Sequence, residues 1–227
     1  MFSDKIWKKN SKQAIAGVCH RLYENGYLVA TSGNVSVRHE SGFYITPAST
    51  RKDCVRPKDI VLCDDNGRTL EPSKKPSSEA AMHREVYRQR PDVAAAIHAH
   101  PHYSIACSLS GISLSKIILP ELAIYIGPVP IVPYATPGTE ELPEALIPYL
   151  PDHNAFLLSR HGVLVLGKDL EDAFNRLEHL EQIARVAYLV KSMGGIEPMS
   201  KHEVKKIAER ARSLGEQITG ALRRIME

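Results

Sequence analysis

No Cys-x-x-Cys pair occurs in this chain. Its four cysteines stand apart at positions 19, 54, 63 and 107, which excludes zinc knuckles and thioredoxin-like redox motifs. They read as reduced thiols that act as small buried hydrophobes, and a cytoplasmic location is expected, because structural disulfides belong to oxidising compartments. The opening residues, MFSDKIWKKN, lack the apolar core of a secretory signal. Uninterrupted apolar runs are also missing. The most membrane-like stretch, residues 117–135, carries Glu121 together with Pro120, Pro128, Pro130 and Pro133, whereas a spanning helix needs about 20 largely apolar residues without such breaks. Charge of one sign is lacking too. With 29 basic and 26 acidic residues the net charge is only +3, so neither nucleic acid nor membrane is an expected partner. There is no internal repeat and no low-complexity linker.

What remains is ordinary globular composition: 227 residues, 43% hydrophobic, ample for a sizeable core. A first helix is expected over Ser3–Glu24, with Ile6, Trp7, Ile15, Val18 and Leu22 on one face and Gly26 ending it. Strand-like runs follow at YLVAT, NVSVRH, GFYIT and DIVLCD, and the Asn-Gly of DDNGR signals a hairpin turn. A second helix is expected from Pro76, Ser77 and Ser78 to Pro91. Then come a strand in DVAAAIHAH, a helical segment HYSIACSLSG, and strands at AIYIG, PIVPY, AFLLSR and GVLVLG. A long helix opens at Asp169, its inner face running from Leu170 to Tyr188. A last helix opens at Ser200 and Glu203, which have capping-box spacing, and breaks near Gly215. The whole reads as one α/β domain, residues 1–227, with a central, largely antiparallel sheet and flanking helices.

Three histidines break into an apolar run in AAAIHAHPH, residues 94–102. Residues two apart on a strand share a face, so His98 and His100 point the same way. An H-x-H pair at a strand end suits a metal that takes imidazole nitrogen; the alternative is two hydrogen-bonded core histidines. A catalytic zinc usually takes three protein ligands and leaves one position open. The best third candidate is His161, between two strand runs and next to Gly162. His102 is an alternative beyond Pro101. His20, His39, His153, His179 and His202 sit in polar or helix-surface settings and read as solvated.

Two further groups carry chemistry. In KKPSSEAAMH, residues 74–83, Ser77 and Ser78 fall at a helix N-terminus, where free N–H groups and the dipole favour an anion; ordinary capping explains them equally. Glu79 lies in the first turn, and His83, four residues on, either orients it or packs. In TSGNVSV, residues 31–37, small side chains and backbone N–H groups before a strand make a phosphate cradle conceivable, though such turns are common.

Taken in order, TSGNVSV, ITPAST, PSSE, HAHPH, PYATPGTEEL and SRHGVLVLGKDLEDAF resemble the class II aldolase/epimerase/adducin-head family, most closely its fuculose-phosphate aldolase-like members. The resemblance covers nearly the whole chain. It implies a three-layer α-β-α architecture around a mostly antiparallel sheet of about nine strands. It also implies a homotetramer with active sites between subunits. It assigns His98, His100 and His161 to zinc, Glu79 to acid/base work, and Asn34, Ser77 and Ser78 to the phosphate of a sugar-phosphate substrate. Where the aldolases offer Thr or Ser then Gly after ITP, this chain has Ala48 and Ser49, so that contact shifts to Ser49 or Thr50. Where they use a tyrosine of the neighbouring subunit as proton donor, the matching residue is Leu119. Glu121 lies close by as a replacement, and no tyrosine follows Tyr188. The implied activity is zinc-dependent cleavage of a ketose 1-phosphate to dihydroxyacetone phosphate and an aldehyde. The alternatives on this scaffold are an epimerase, whose members carry Asp in place of Glu79, a methylthioribulose-phosphate-type dehydratase using a glutamate from the region of Glu121, and a non-catalytic adducin-like module. His₃ sites also accept iron, cobalt or manganese.

Overall fold

Alternation along the strands divides the interior into two layers. The computed structural model describes residues 12–195, 197–215 and 217–227. Its strands are β1 (Asn34–His39), β2 (Gly42–Ile45), β3 (Val61–Cys63), β4 (Ala95–Ala99), β5 (Ile131–Val132), β6 (Ala155–Leu158) and β7 (Gly162–Gly167). In β4, Ala95, Ile97 and Ala99 enter one core and Ala96 the other; in β7, Val163 and Val165 enter the first, Leu164 and Leu166 the second. The strands form one mixed sheet in the order β3-β2-β1-β4-β7-β6-β5. Every neighbouring pair is antiparallel except β5–β6.

Helices cover both faces. The first core is closed by α1 (Lys12–Glu24), α3 (His102–Ser110), α5 (Leu170–Ser192), α6 (Lys201–Ser213) and α7 (Gly220–Met226); the second by α2 (Ala80–Gln89) and α4 (Glu141–Leu146). Asp169 caps α5 by accepting from the Asp172 amide, and the Ser200–Glu203 capping box opens α6. Gly215, at φ 81°, lies in the break between α6 and α7. Among the described residues no helix is long and apolar enough to cross a membrane.

Several expectations are corrected. Among the described residues the sheet has seven strands rather than nine, because two expected strands are not extended. In YLVAT, the amides of Tyr27 and Leu28 both turn back to the Leu22 carbonyl. AIYIG lies in a π-helical turn, Leu122–Ile126, closed by the Gly127 amide on the Leu122 carbonyl. Leu122, Ala123 and Ile126 are buried and Tyr125 is exposed, a helical spacing that a short apolar run does not separate from a strand. α2 begins at Ala80, so Ser77 and Ser78 precede the helix and Glu79 is its N-cap. Tyr188 is exposed rather than inward, Cys54 is the exposed one of the four free cysteines, and α4 was not anticipated. Ile6 and Trp7 lie outside the described residues.

One buried carboxylate links two helices of the first core. Glu181 of α5 accepts the amides of Tyr103 and Ser104 at 2.8 and 2.9 Å and the Ser104 hydroxyl at 2.8 Å. It thereby satisfies orphan donors at the N-terminus of α3, directly after His100 and Pro101. Glu181→Ala orphans three donors, and unfolding in urea followed by circular dichroism should show a loss on the order of 3 kcal/mol. Glu181→Gln, which keeps an acceptor oxygen, should lose less.

Candidate metal centre and anion cavity

The register of the sheet sets the site. On β4, His98 pairs across to Asn34 of β1 and to Leu164 of β7. His98 is fully buried, and its Nδ1–H donates to the Val163 carbonyl at 2.9 Å, which leaves Nε2 with a bare lone pair. His100 lies just past the strand; its amide bonds the Tyr27 carbonyl, and its Nε2 stands 3.0 Å from Nε2 of His98. His161 arrives from the β6–β7 hairpin, where Arg160 turns through φ 58° and the His161 amide bonds the Leu158 carbonyl.

Glycine makes this approach sterically feasible. A Cβ on Gly162 would stand 2.4 Å from the Ala99 carbonyl oxygen and 2.5 Å from the His100 ring. Gly33, at φ 75°, presses on β4 from the other side, where a Cβ would lie 2.8 Å from the His98 carbonyl oxygen.

Donor atoms of His98, His100 and His161 lie within 4.8 Å of one another and could hold a metal ion. Burial is the largest cause pushing all three imidazoles toward the neutral form; His98 falls well below the usual range and His100 to about 4, each with a neighbouring histidine as second cause, and His161 falls as well although the Glu79 carboxylate opposes it. Neutral imidazole is the ligating form. The carboxylate of Glu79 faces the same point, Oε2 at 3.3 Å from His98 Nε2 and Oε1 at 3.3 Å from His161 Nε2. Glu79 Oε1 and His161 Nδ1 are buried without a hydrogen-bond partner. Polar atoms left bare beside a cluster of histidines fit a cation and a reacting ligand.

Behind Glu79 runs a directed chain of hydrogen bonds. Asn34 Nδ2 donates to Glu79 Oε2 at 2.7 Å, so Asn34 Oδ1 is the acceptor for His83 Nε2–H. His83 Nδ1 then accepts from the Ser36 hydroxyl at 2.6 Å, and Ser36 accepts from the Tyr87 hydroxyl at 2.7 Å. Burial holds His83 neutral, its value lowered to about 3. Each member has one role open to it, which aims the Asn34 amide at Glu79 and leaves its second hydrogen for another acceptor. His83 thus orients the glutamate through Asn34, rather than directly.

A cavity of about 350 Å³ opens in front of these groups, within the range of small-molecule sites. It is lined by Asn34, Ser49, Ser77, Ser78, Glu79 and His100, with His161, Lys52, Lys75 and the Thr31–Gly33 turn completing the wall. The segment before α2 is drawn to this place by a bridge between Pro47 and Pro76 and by the Ser77 amide on the Thr46 carbonyl. Glu121 is not brought to the cavity: it is exposed at the start of the π-helical turn. His102 is exposed at the first position of α3. Of the histidines read as solvated, His20 bonds the Val55 carbonyl, His153 the Tyr149 carbonyl, and His179 stacks on Tyr125. Sequence reasoning missed Lys52 at this site, because within TRKD it reads as a surface charge, and missed Ser36 and Tyr87, which no spacing ties to His83.

Comparison with known proteins accords with this geometry. Residues 13–188 match the family model described as class II aldolase and adducin N-terminal domain. A relative from Methanococcus maripaludis, named L-fuculose phosphate aldolase, is 33% identical over 78% of this chain and 95% of its own length. One from Escherichia coli, named 3-oxo-tetronate 4-phosphate decarboxylase, is 29% identical over 81% of this chain and 88% of its own. A solved structure titled L-fuculose 1-phosphate aldolase superposes with a TM-score of 0.83 at 30% identity, covering 93% of this chain and 98% of that one.

Two substitutions test the centre. His100→Ala should abolish stoichiometric binding of a divalent metal, read by elemental analysis after dialysis. Gly162→Ala, whose methyl would press on the Ala99 carbonyl and the His100 ring, should lower metal affinity about 10–100-fold in equilibrium dialysis by displacing the hairpin, with the circular dichroism spectrum of the sheet retained.

Proposed function

Since the chain belongs to the class II aldolase and adducin N-terminal domain family and is a metal-dependent lyase of that family, we propose that it is a zinc aldolase. Its substrate is a ketose 1-phosphate, fuculose 1-phosphate-like, cleaved to dihydroxyacetone phosphate and an aldehyde. The observation that carries this reading is Oε1 of Glu79, buried without a hydrogen-bond partner at the wall of a cavity that His100 and His161 also line, with His98 directly behind them. In this reading all 227 residues form one class II aldolase-like domain, the protein works as a cytoplasmic homotetramer, and zinc is held by His98, His100 and His161.

When bound there, the ion supplies Lewis acidity for the negative charge that the ketone oxygen takes up as the carbon–carbon bond breaks. The chain's own groups do the rest. Ser77, Ser78, Ser49 and the second amide hydrogen of Asn34 hold the phosphate and fix the substrate's position, which removes entropy from the reacting step. Glu79 delivers a proton to the carbon beside the ketone in cleavage and takes it back in condensation. The chain Tyr87–Ser36–His83–Asn34 keeps that carboxylate aimed. Glu121, from a neighbouring subunit, takes the hydroxyl proton of the departing aldehyde in place of the missing tyrosine.

A second reading is favoured by one specific departure. Leu119 and the lack of a tyrosine after Tyr188 weaken the half of the site that handles the aldehyde. Loss of carbon dioxide from a 3-oxo acid phosphate needs the same stabilised carbanion beside a ketone, but releases no aldehyde and needs no base for its hydroxyl. The Escherichia coli relative named as such a decarboxylase makes this the competing chemistry.

The test is release of dihydroxyacetone phosphate from a panel of ketose 1-phosphates by the zinc-loaded protein, coupled to a dehydrogenase, beside carbon dioxide release from a 3-oxo acid phosphate. Release of the triose phosphate from a ketose 1-phosphate is expected; carbon dioxide from the 3-oxo acid phosphate, with no triose phosphate from any ketose 1-phosphate, assigns the second reading. In either chemistry Glu79→Gln should keep metal and fold and lose about 10²–10⁴-fold in turnover, and near-normal turnover would remove Glu79 from its role.

A further inference from the structure

A buried lysine stands in the cavity wall without a direct ion pair, the Glu79 carboxylate of the same wall acting on it only at longer range. Lys52 is 2% exposed. Its Nζ donates to the Thr31 carbonyl at 2.9 Å and the Thr50 carbonyl at 3.1 Å, and its amide donates to the Ala30 carbonyl at 3.0 Å. Among the described residues no carboxylate comes within ion-pair distance of it. Lysine is almost never fully buried unless paired, since the ammonium forfeits its hydration. Carbonyl dipoles satisfy two of its three donors but do not neutralise its charge.

The two loops it joins are the two that line the cavity beside β1 and beyond β2. Each turns through a residue other than glycine in the left-handed region, Ala30 at φ 50° and Ser49 at φ 53°, which alanine and serine adopt at a cost. An unpaired buried cation and two strained loops, all in one wall, are what a site tolerates when a ligand completes it. The other groups assigned to the phosphate are neutral hydroxyls and an amide. Lys75, the remaining cation of the wall, is exposed, where water screens it.

We propose that Lys52 is the charge of the anion subsite: it fixes the spacing between the Thr31 and Thr50 loops and compensates the substrate's phosphate, and so sets the preference for phosphorylated over neutral sugars. This rests on the phosphorylated-substrate reading above, but not on the reaction that follows binding. Lys52 acts as a positioning and specificity-determining residue, with the hydrogen bonds supplied by the groups around it.

Calorimetric titration of the metal-loaded full chain with inorganic phosphate tests it. Lys52→Met should weaken phosphate affinity tenfold or more with metal content unchanged. Lys52→Arg, which keeps the charge, should retain more affinity than Lys52→Met. In steady state Lys52→Met should raise KM for phosphorylated substrate more than it lowers kcat, and inhibition by unphosphorylated dihydroxyacetone should be unaltered, which a general loss of structure would not spare. Unchanged phosphate affinity in folded, metal-loaded Lys52→Met overturns the inference, as does a wild-type protein that binds no phosphate. Should the variants fail to fold, a structure of the wild-type protein with phosphate decides: the anion is expected within about 6 Å of Nζ, and an anion held elsewhere overturns it. Phosphate binding without turnover of any ketose 1-phosphate removes the aldolase reading and leaves this one standing.

Discussion

The contact between Gly162 and the end of β4 is the one on which the candidate site depends. The β6–β7 hairpin lies flat against the backbone of Ala99 and the ring of His100, closer than any side chain would permit. That closeness brings His161 to His98 and His100, and it puts the Val163 carbonyl in place to orient His98. Gly33 allows the same approach from β1. The pair of glycines squeezes three backbone segments together around one face of β4, and the imidazoles occupy the end of that face.

Holding so many polar groups in the interior is costly, and the molecule offsets the cost by saturation. Glu181, Arg38 and the chain from Tyr87 to Asn34 each find partners in good geometry. Several exceptions gather in one place. Glu79 Oε1 and His161 Nδ1 have no hydrogen-bond partner, Lys52 makes no ion pair with the described residues, and Ala30 and Ser49 take up backbone strain beside them. Each exception would be resolved by something that the protein binds: a cation by the imidazoles and the carboxylate, an anion by the lysine and the strained loops. The distribution of dissatisfaction, more than the shape of the cavity, marks the site.

The fold also explains how a carboxylate can be both rigid and available. Asn34 engages only Oε2 of Glu79, and Asn34 is itself held by His83, whose Nε2–H donates to its carbonyl while Nδ1 accepts from Ser36. One oxygen is thus anchored to the scaffold and the other faces the cavity. A group that exchanges a proton with carbon gains from this division, because its orientation is settled before substrate arrives.

Local pattern decided a good deal. The period-two spacing of His98 and His100, the caps at Asp169 and Ser200, the break at Gly215, and the strands of NVSVRH, AFLLSR and GVLVLG are all consequences of neighbouring residues, so they were legible along the chain. The motifs in order pointed to the family and to His161 and Glu79. Other features are set by partners distant in sequence, and only the tertiary structure decided them. AIYIG became a π-helical turn because its buried positions follow the core it meets, and the seven-stranded register followed from which strands pair. The link from His83 to Glu79 passes through Asn34, 49 and 45 positions away from them respectively, and the burial of Lys52 depends on loops at residues 31 and 50. A side chain's charge is written in the sequence; whether water or protein surrounds that charge is a property of packing alone.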